Sequence, residues 1–113
     1  MHELGLCSEM VHTLEELMDK EHLTEIHSVT VQIGEVTGVL PRYMMECWPA
    51  AIEGTRLDGS ELKIDWVNAK GMCRHCDTEF LVSQNKGHCP KCGSEDYDLE
   101  TGFEFEITEI HGK

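Results

Sequence analysis

The amino-acid sequence predicts an α+β fold: a small mixed three-stranded sheet with two helices, interrupted by an inserted cysteine-rich module. Three observations predict it. Apolar residues recur twice at helical spacing, from Leu4 to Met18 and from Met44 to Ile52. Three short segments alternate apolar and polar residues, as half-buried strands do. Between the second and third of these segments, four cysteines stand in two close pairs.

The first helix follows from Leu4, Cys7, Met10, Val11, Leu14, Leu17 and Met18, which form one stripe at i, i+3, i+4 spacing. Glu9, Glu15, Glu16 and Asp19 take the other positions. Val29, Val31 and Ile33 then alternate with Thr30 and Gln32, predicting a half-buried strand whose end is loosened by Gly34 and Gly38. Pro41 suits the first turn of a helix, where its missing N–H costs nothing. Met44, Cys47, Trp48, Ala51 and Ile52 supply the second stripe, Pro49 should kink or restart it, and Gly54 should stop it. Leu62, Ile64 and Trp66 alternate with Glu61, Lys63 and Asp65 as a second strand, after a turn at Asp58-Gly59. Phe103, Phe105 and Ile107 alternate with Glu104, Glu106 and Thr108 as a third. Two strands joined through a helix predict a parallel, right-handed crossover. Residues 1–68 and 101–113 are therefore expected to form one discontinuous helix–sheet domain, and residues 69–100 the insert.

The insert carries Cys73, Cys76, Cys89 and Cys92 at the spacing C-x2-C-x12-C-x2-C. Each C-x2-C turn can aim two sulfurs at one point, and twelve residues suffice to bring the second turn back to complete a tetrahedron. Zn²⁺ takes four deprotonated soft ligands in that arrangement, so the insert reads as a zinc-ribbon-like module. Pro90 restricts the second turn and Gly93 lets the backbone leave it without a Cβ clash. Iron also accepts four thiolates, so zinc is an inference from the ligand set. A four-thiolate site has no open position for a substrate. It builds structure, the chain is not expected to be an enzyme, and its function must lie elsewhere.

Bulk properties narrow that function. One hundred and thirteen residues suffice for one small domain and a metal-stapled module. The net charge of −13 opposes binding to a phosphate backbone, so no nucleic-acid partner is expected. No apolar run reaches membrane-spanning length, and no membrane partner is expected. The opening Met1-His2-Glu3-Leu4 has neither a basic region nor an apolar signal core. With six cysteines in a zinc-like pattern, this predicts a reducing, cytoplasmic location.

The other constellation is Met1-His2-Glu3. A free Met1 amine, the amide nitrogen of His2 and the His2 imidazole form adjoining chelate rings. With the amide nitrogen of Glu3, four nitrogens can lie in one plane. Planar nitrogen donors suit Ni(II) or Cu(II) and suit Zn²⁺ poorly. Amides in the first turn of a helix have no acceptor in their own helix. The helix dipole eases their deprotonation but opposes a nearby cation. Taken alone, a histidine at position 2 is most often an exposed side chain, and Glu3 is a favourable acid in a first turn.

A chain opening Met1-His2-Glu3, followed by an amphipathic helix, a strand ending Ile33-Gly34-Glu35 and the paired C-x2-C motifs, resembles the hydrogenase nickel incorporation proteins of the HypA family. The resemblance covers essentially the whole chain. It implies a nickel metallochaperone that accepts Ni(II) as cargo at His2, Met1 and Glu3 and passes it to the large-subunit precursor of a nickel–iron hydrogenase. It also implies a partner maturation GTPase of the HypB type, service to urease in some lineages, and a structural zinc at Cys73, Cys76, Cys89 and Cys92. Members often carry a histidine directly after a cysteine pair. Here His75 lies inside the first pair and His88 precedes the second, and both read first as exposed residues beside a satisfied zinc site.

Cys7 and Cys47 fall on the apolar helix stripes and read as core thiols before metal ligands. Met10, Met18, Met44 and Met45 read likewise as core or interface. His12, His22, His27 and His111 are scattered and predict no ligand geometry. Two other functions stay open: a zinc-ribbon adaptor that only binds protein, and a thiol oxidoreductase using a C-x-x-C pair. A homodimer is also left open.

Overall fold

The computed structural model of the chain describes residues 3–113; Met1 and His2 lie outside the described residues. Helix α1 runs Glu3–Glu21 and strand β1 Ile26–Gly34. A single 3-10 turn at Glu35–Thr37 leads to helix α2, Pro41–Ile52. Strands β2 (Glu61–Val67), β3 (Lys70–Cys73), β4 (Glu79–Leu81), β5 (Tyr97–Thr101) and β6 (Phe105–Gly112) complete the chain. They form two three-stranded sheets, ordered β2-β1-β6 and β4-β3-β5. This is the α+β class the periodicities predict. No described helix is long and apolar enough to cross a membrane.

The chain divides into two compact units. One comprises the described residues up to Gln32, Val39–Asp65 and Glu106–Lys113; the other comprises Ile33–Gly38 and Trp66–Phe105.

In the first unit α1 packs on α2. Cys7, Met10, Val11, Leu14 and Met18 of α1 are buried, as are Met44, Trp48 and Ile52 of α2. Each large side chain so buried contributes about 1.5–3 kcal/mol relative to exposure. Leu4 departs from the predicted stripe and is 51% exposed, whereas Glu3, one residue earlier, is only 5% exposed. The Glu3 carboxylate accepts a hydrogen bond from the Leu40 backbone N–H at 3.3 Å, just before α2 begins. That amide precedes the first helical turn and has no acceptor in α2 itself, so an acidic side chain is a favourable cap. Pro41 occupies the first turn of α2, as expected. Pro49 does not restart the helix, which continues to Ile52. It stands in the last turn, where it removes a single hydrogen bond and little helix remains to disturb. Gly54, at φ 75°, follows the helix end.

Strand β1 is not half-buried. Ser28 and Thr30 are buried along with Val29, Val31 and Ile33. Successive side chains of a strand point to opposite faces, so the unbroken burial from Ser28 to Val31 means that both faces of this central strand are covered there. Strands β1 and β6 run antiparallel, since Glu25 and Lys113 exchange backbone hydrogen bonds at 2.9 Å. Edge strand β2 buries Leu62 but leaves Trp66 exposed. Phe103, predicted as the start of the last strand, lies before β6 and is 57% exposed.

In the second unit, β3 pairs antiparallel with both β4 and β5. Its core is small: Cys73, Phe80 and Cys89 are buried, with Cys76, Val82 and Tyr97 packed against them. The rings of Phe80 and Tyr97 meet edge to face at 5.4 Å. Half of this core is cysteine, too little apolar surface to hold the unit without a further staple. Gly34 does not loosen the chain here, as the sequence suggested. A Cβ on it would lie 2.2 Å from the Gly102 carbonyl, so glycine permits a close backbone approach. Two backbone bonds accompany that approach, Gly34 N–H to Glu104 at 2.7 Å and Val36 N–H to Gly102 at 2.8 Å.

Candidate metal centre

The four cysteines converge. One sulfur from each of Cys73, Cys76, Cys89 and Cys92 lies within 4.8 Å of all the others. Cys73 ends strand β3, and Cys76 follows in the turn before β4. Cys89 and Cys92 occupy the long connection between β4 and β5.

Both C-x2-C segments build the same turn. Cys73 N–H donates to the Thr78 carbonyl at 2.9 Å, and Asp77 N–H donates to the Cys73 carbonyl at 3.0 Å. Cys89 N–H donates to the Ser94 carbonyl at 2.8 Å, and Gly93 N–H to the Cys89 carbonyl at 2.8 Å. Asp77 and Gly93 are therefore equivalent positions, and both have positive φ, 58° and 78°. Glycine suits that conformation, and aspartate is among the few other residues that tolerate it.

The geometry fits a tetrahedral metal. The Cys73–Cys92 and Cys76–Cys89 sulfur pairs are each 3.5 Å apart. Bonds of about 2.3 Å from a central Zn²⁺ place tetrahedral sulfurs about 3.8 Å apart. The Thr78 hydroxyl, 3.1 Å from the Cys76 sulfur, holds that thiol down at about 6, outweighing the opposing effect of burial. For Cys89, burial raises the pKa, but the backbone N–H groups of Cys92 and Lys91 outweigh it and the net shift is downward. The Ser94 N–H lowers Cys92, yet the Cys73 sulfur, burial and the remaining thiols push it up to about 12. Four thiols so close cannot all ionise without a cation among them, and a divalent metal supplies it.

A clasp outside the sulfurs ties the two turns together. Arg74, inside the first turn, donates from Nη1 to Asp96 at 2.8 Å and from Nε to Asp98 at 2.9 Å. Its N–H also bonds the Asp96 carbonyl at 3.0 Å. The hydrogen bond and charge of Asp98, with Asp96, raise the Arg74 pKa, while Arg74 lowers that of Asp98. Sequence reasoning missed this clasp; the Asp-x-Asp pair just past the second turn was its only trace. His75 and His88 turn to acids, Nε2 of His75 to Asp96 at 3.7 Å and Nδ1 of His88 to Glu95 at 3.4 Å.

The other predicted metal residues are Met1, His2 and Glu3. Met1 and His2 fall outside the described residues. Glu3 stands at the start of α1 with its carboxylate directed to Leu40. Among the described residues, the four cysteines form the one cluster of histidine, cysteine and acidic side chains close enough to hold a metal.

Comparison with known proteins adds an independent line. Residues 1–112 match the family described as hydrogenase/urease nickel incorporation, metallochaperone, HypA. A hydrogenase maturation factor HypA of Crocosphaera subtropica is 32% identical over 110 residues, covering 97% of this chain and 94% of that one. One of Geotalea daltonii is 36% identical over 107 residues, covering 95% and 94%. The solution structure of the Ni metallochaperone HypA from Helicobacter pylori superposes with a TM-score of 0.67 at 23% identity, covering 99% of this chain and 97% of that one. A second solution structure of a HypA protein gives 0.72 at 23% identity, covering 100% and 97%. At that identity the two structures speak for the fold.

Proposed function

The chain belongs to the HypA family of nickel metallochaperones that act in hydrogenase maturation, and on that premise we propose that it binds Ni(II) at Met1, His2 and Glu3 and surrenders it to a hydrogenase precursor. The observation that carries this reading is the extent of the family match. It runs from residue 1 to residue 112, and so takes in the amino-terminal donors and the four cysteines together. Nickel is cargo here, bound and released without turnover.

The donors are the Met1 amine, the amide nitrogen and imidazole of His2, and the amide nitrogen of Glu3. The engagement of the Glu3 carboxylate with Leu40 supports a backbone role for that residue. Planar nitrogen donors favour Ni(II) over Zn²⁺, and the four thiolates favour Zn²⁺. The two metals are thus sorted by ligand chemistry within one chain. The zinc would hold the cysteine module folded, with Cys73, Cys76, Cys89 and Cys92 as its ligands. A GTPase of the HypB type would assist transfer in the cytoplasm, and urease is a second candidate client.

The test is nickel titration of His2→Ala beside the wild type, with zinc measured in both. We expect loss of stoichiometric nickel binding and of hydrogenase maturation, with zinc content and melting temperature unchanged. Native nickel affinity in His2→Ala would remove the amino-terminal site.

A further inference from the structure

Two histidines distant in sequence stand opposite each other on strands β1 and β6. Glu25 and Lys113 exchange backbone hydrogen bonds at 2.9 Å, which makes them a directly opposed pair. One step inward, a Cβ on Gly112 would lie 3.0 Å from the Ile26 Cα, so those two residues are neighbours across the strands as well. The next step pairs His27 of β1 with His111 of β6. Side-chain contacts fix the face. One carboxylate oxygen of Glu25 meets Nε2 of His27 at 3.2 Å and Nζ of Lys113 at 3.4 Å, so residues 25, 27 and 113 share it. His111, two residues from Lys113, joins that face by strand alternation. Its Nε2 meets Glu109 at 3.1 Å. Both rings are exposed.

We propose that His27 and His111 form a bis-imidazole site for one divalent late-transition cation, Ni(II) included, with the two Nδ1 atoms as ligands and water in the remaining positions. Directly opposed residues hold their Cβ atoms about 5 Å apart. Two imidazoles rooted there can both reach one ion at about 2 Å. Each ring turns Nε2 to an acid, so the Nε2 proton is donated to a carboxylate and the lone pair stands on Nδ1. Histidines that bind metal are commonly oriented in this way, and the carboxylate makes the ligating nitrogen more basic. Neutral imidazole suits Ni(II), Cu(II) and Zn²⁺, whereas Mg²⁺ and Ca²⁺ take oxygen donors. Two donors make an open pair, unlike the cage of four cysteines, so an ion held here stays exchangeable. No electron is transferred. The site stands apart from the amino-terminal donors and uses none of them.

The test exploits a difference in magnetism. Ni(II) in a planar field of four nitrogens is diamagnetic, whereas Ni(II) held by two imidazoles and water is six-coordinate and paramagnetic. Full-length, zinc-loaded, nitrogen-15-labelled protein starting at Met1 is titrated with Ni(II) to two equivalents and followed by amide NMR and visible absorption. The planar absorption should saturate with the first equivalent. The second should broaden the amide signals around His27 and His111 selectively. His27→Gln and His111→Gln, both at exposed positions, should each lose that broadening while keeping zinc, circular dichroism and the planar absorption. Glu109→Gln should weaken the second equivalent roughly tenfold. If the amino-terminal site fails, the planar absorption will be missing, and broadening confined to β1 and β6 would still support this site. Absence of that broadening in the wild type would overturn the proposal. So would broadening that survives unchanged in either histidine variant.

Discussion

The carboxylate of Glu35 accepts a hydrogen bond from the Ala69 backbone N–H at 2.8 Å. Its second oxygen accepts from the Ser83 hydroxyl. One side chain thus braces both the start of β3 and the segment just past β4. The Ser83 bond, and after it the Ala69 bond, hold the Glu35 pKa below its ordinary value of 4.5. A depressed carboxylate stabilises the folded state above its unfolded pKa, and the contribution is lost as pH falls through the folded value. Glu35→Ala should therefore speed hydrogen exchange at the Ala69 amide at pH 7. The stability gap between variant and wild type should close as pH drops below about 4.5. A gap that stays constant into acid would rule out the ionised brace.

Gly34 should tolerate no side chain. The Cβ of Gly34→Ala would fall 2.2 Å from backbone atoms of Gly102, which cannot swing away as a flexible side chain would. The expected cost is about 3 kcal/mol, the upper range for overpacking. Gly102→Ala should be similarly costly, because Gly102 sits at φ 106° and its Cβ would approach the Ala69 Cα to 2.6 Å. Chemical denaturation measures both. A loss near zero for Gly34→Ala would mean that the two backbones do not meet in solution.

The four-cysteine cluster should behave as a fold determinant. Metal binding of this kind supplies on the order of 10 kcal/mol or more, which the small core of Cys73, Phe80 and Cys89 cannot replace. Cys89→Ser should release zinc and unfold residues 69–100, leaving the helical circular dichroism of α1 and α2 largely in place. Retention of one tightly held zinc with a folded module would falsify the ligand assignment. The equivalence of Asp77 and Gly93 supplies a finer probe. Gly93→Ala should cost about 1 kcal/mol, while Asp77→Gly should be neutral or mildly stabilising.

The proposed amino-terminal nickel site should depend on a free amine. A Gly-Ser extension before Met1 converts that amine into a peptide amide and makes His2 internal, so the chelate rings no longer close. We expect loss of nickel binding and of the visible absorption of planar Ni(II), with zinc retained. Equal nickel affinity in a protein starting at Met1 and in the extended one would leave His2 a conventional imidazole donor. Because protons compete for the donors, binding should also weaken as pH falls through the imidazole range, about 6.5 when unperturbed.

The two helices, strands β1, β2 and β6 in their order, and the two C-x2-C turns could be read from residues alone, because periodicity and tight turns are local matters; the short strands β3, β4 and β5 of the insert, which carry no such alternation, could not. A helix buries one stripe at its own 3.6-residue period, so Cys7, Leu14 and Met18 identify α1 wherever it packs. A C-x2-C turn closes on itself through hydrogen bonds four and five residues apart, which is why Cys73 and Cys89 build the same geometry from different sequences. Tertiary structure alone decided the rest. The inward turn of Glu3 toward Leu40, the burial of Ser28 and Thr30 in a central strand, and the contact of Gly34 with Gly102 all join or depend on residues distant in sequence. So does the pairing of Glu35 with Ala69 and Ser83. Each depends on which neighbour the folded chain brings alongside, and a backbone donor such as the Ala69 N–H has no side chain through which the sequence could announce it.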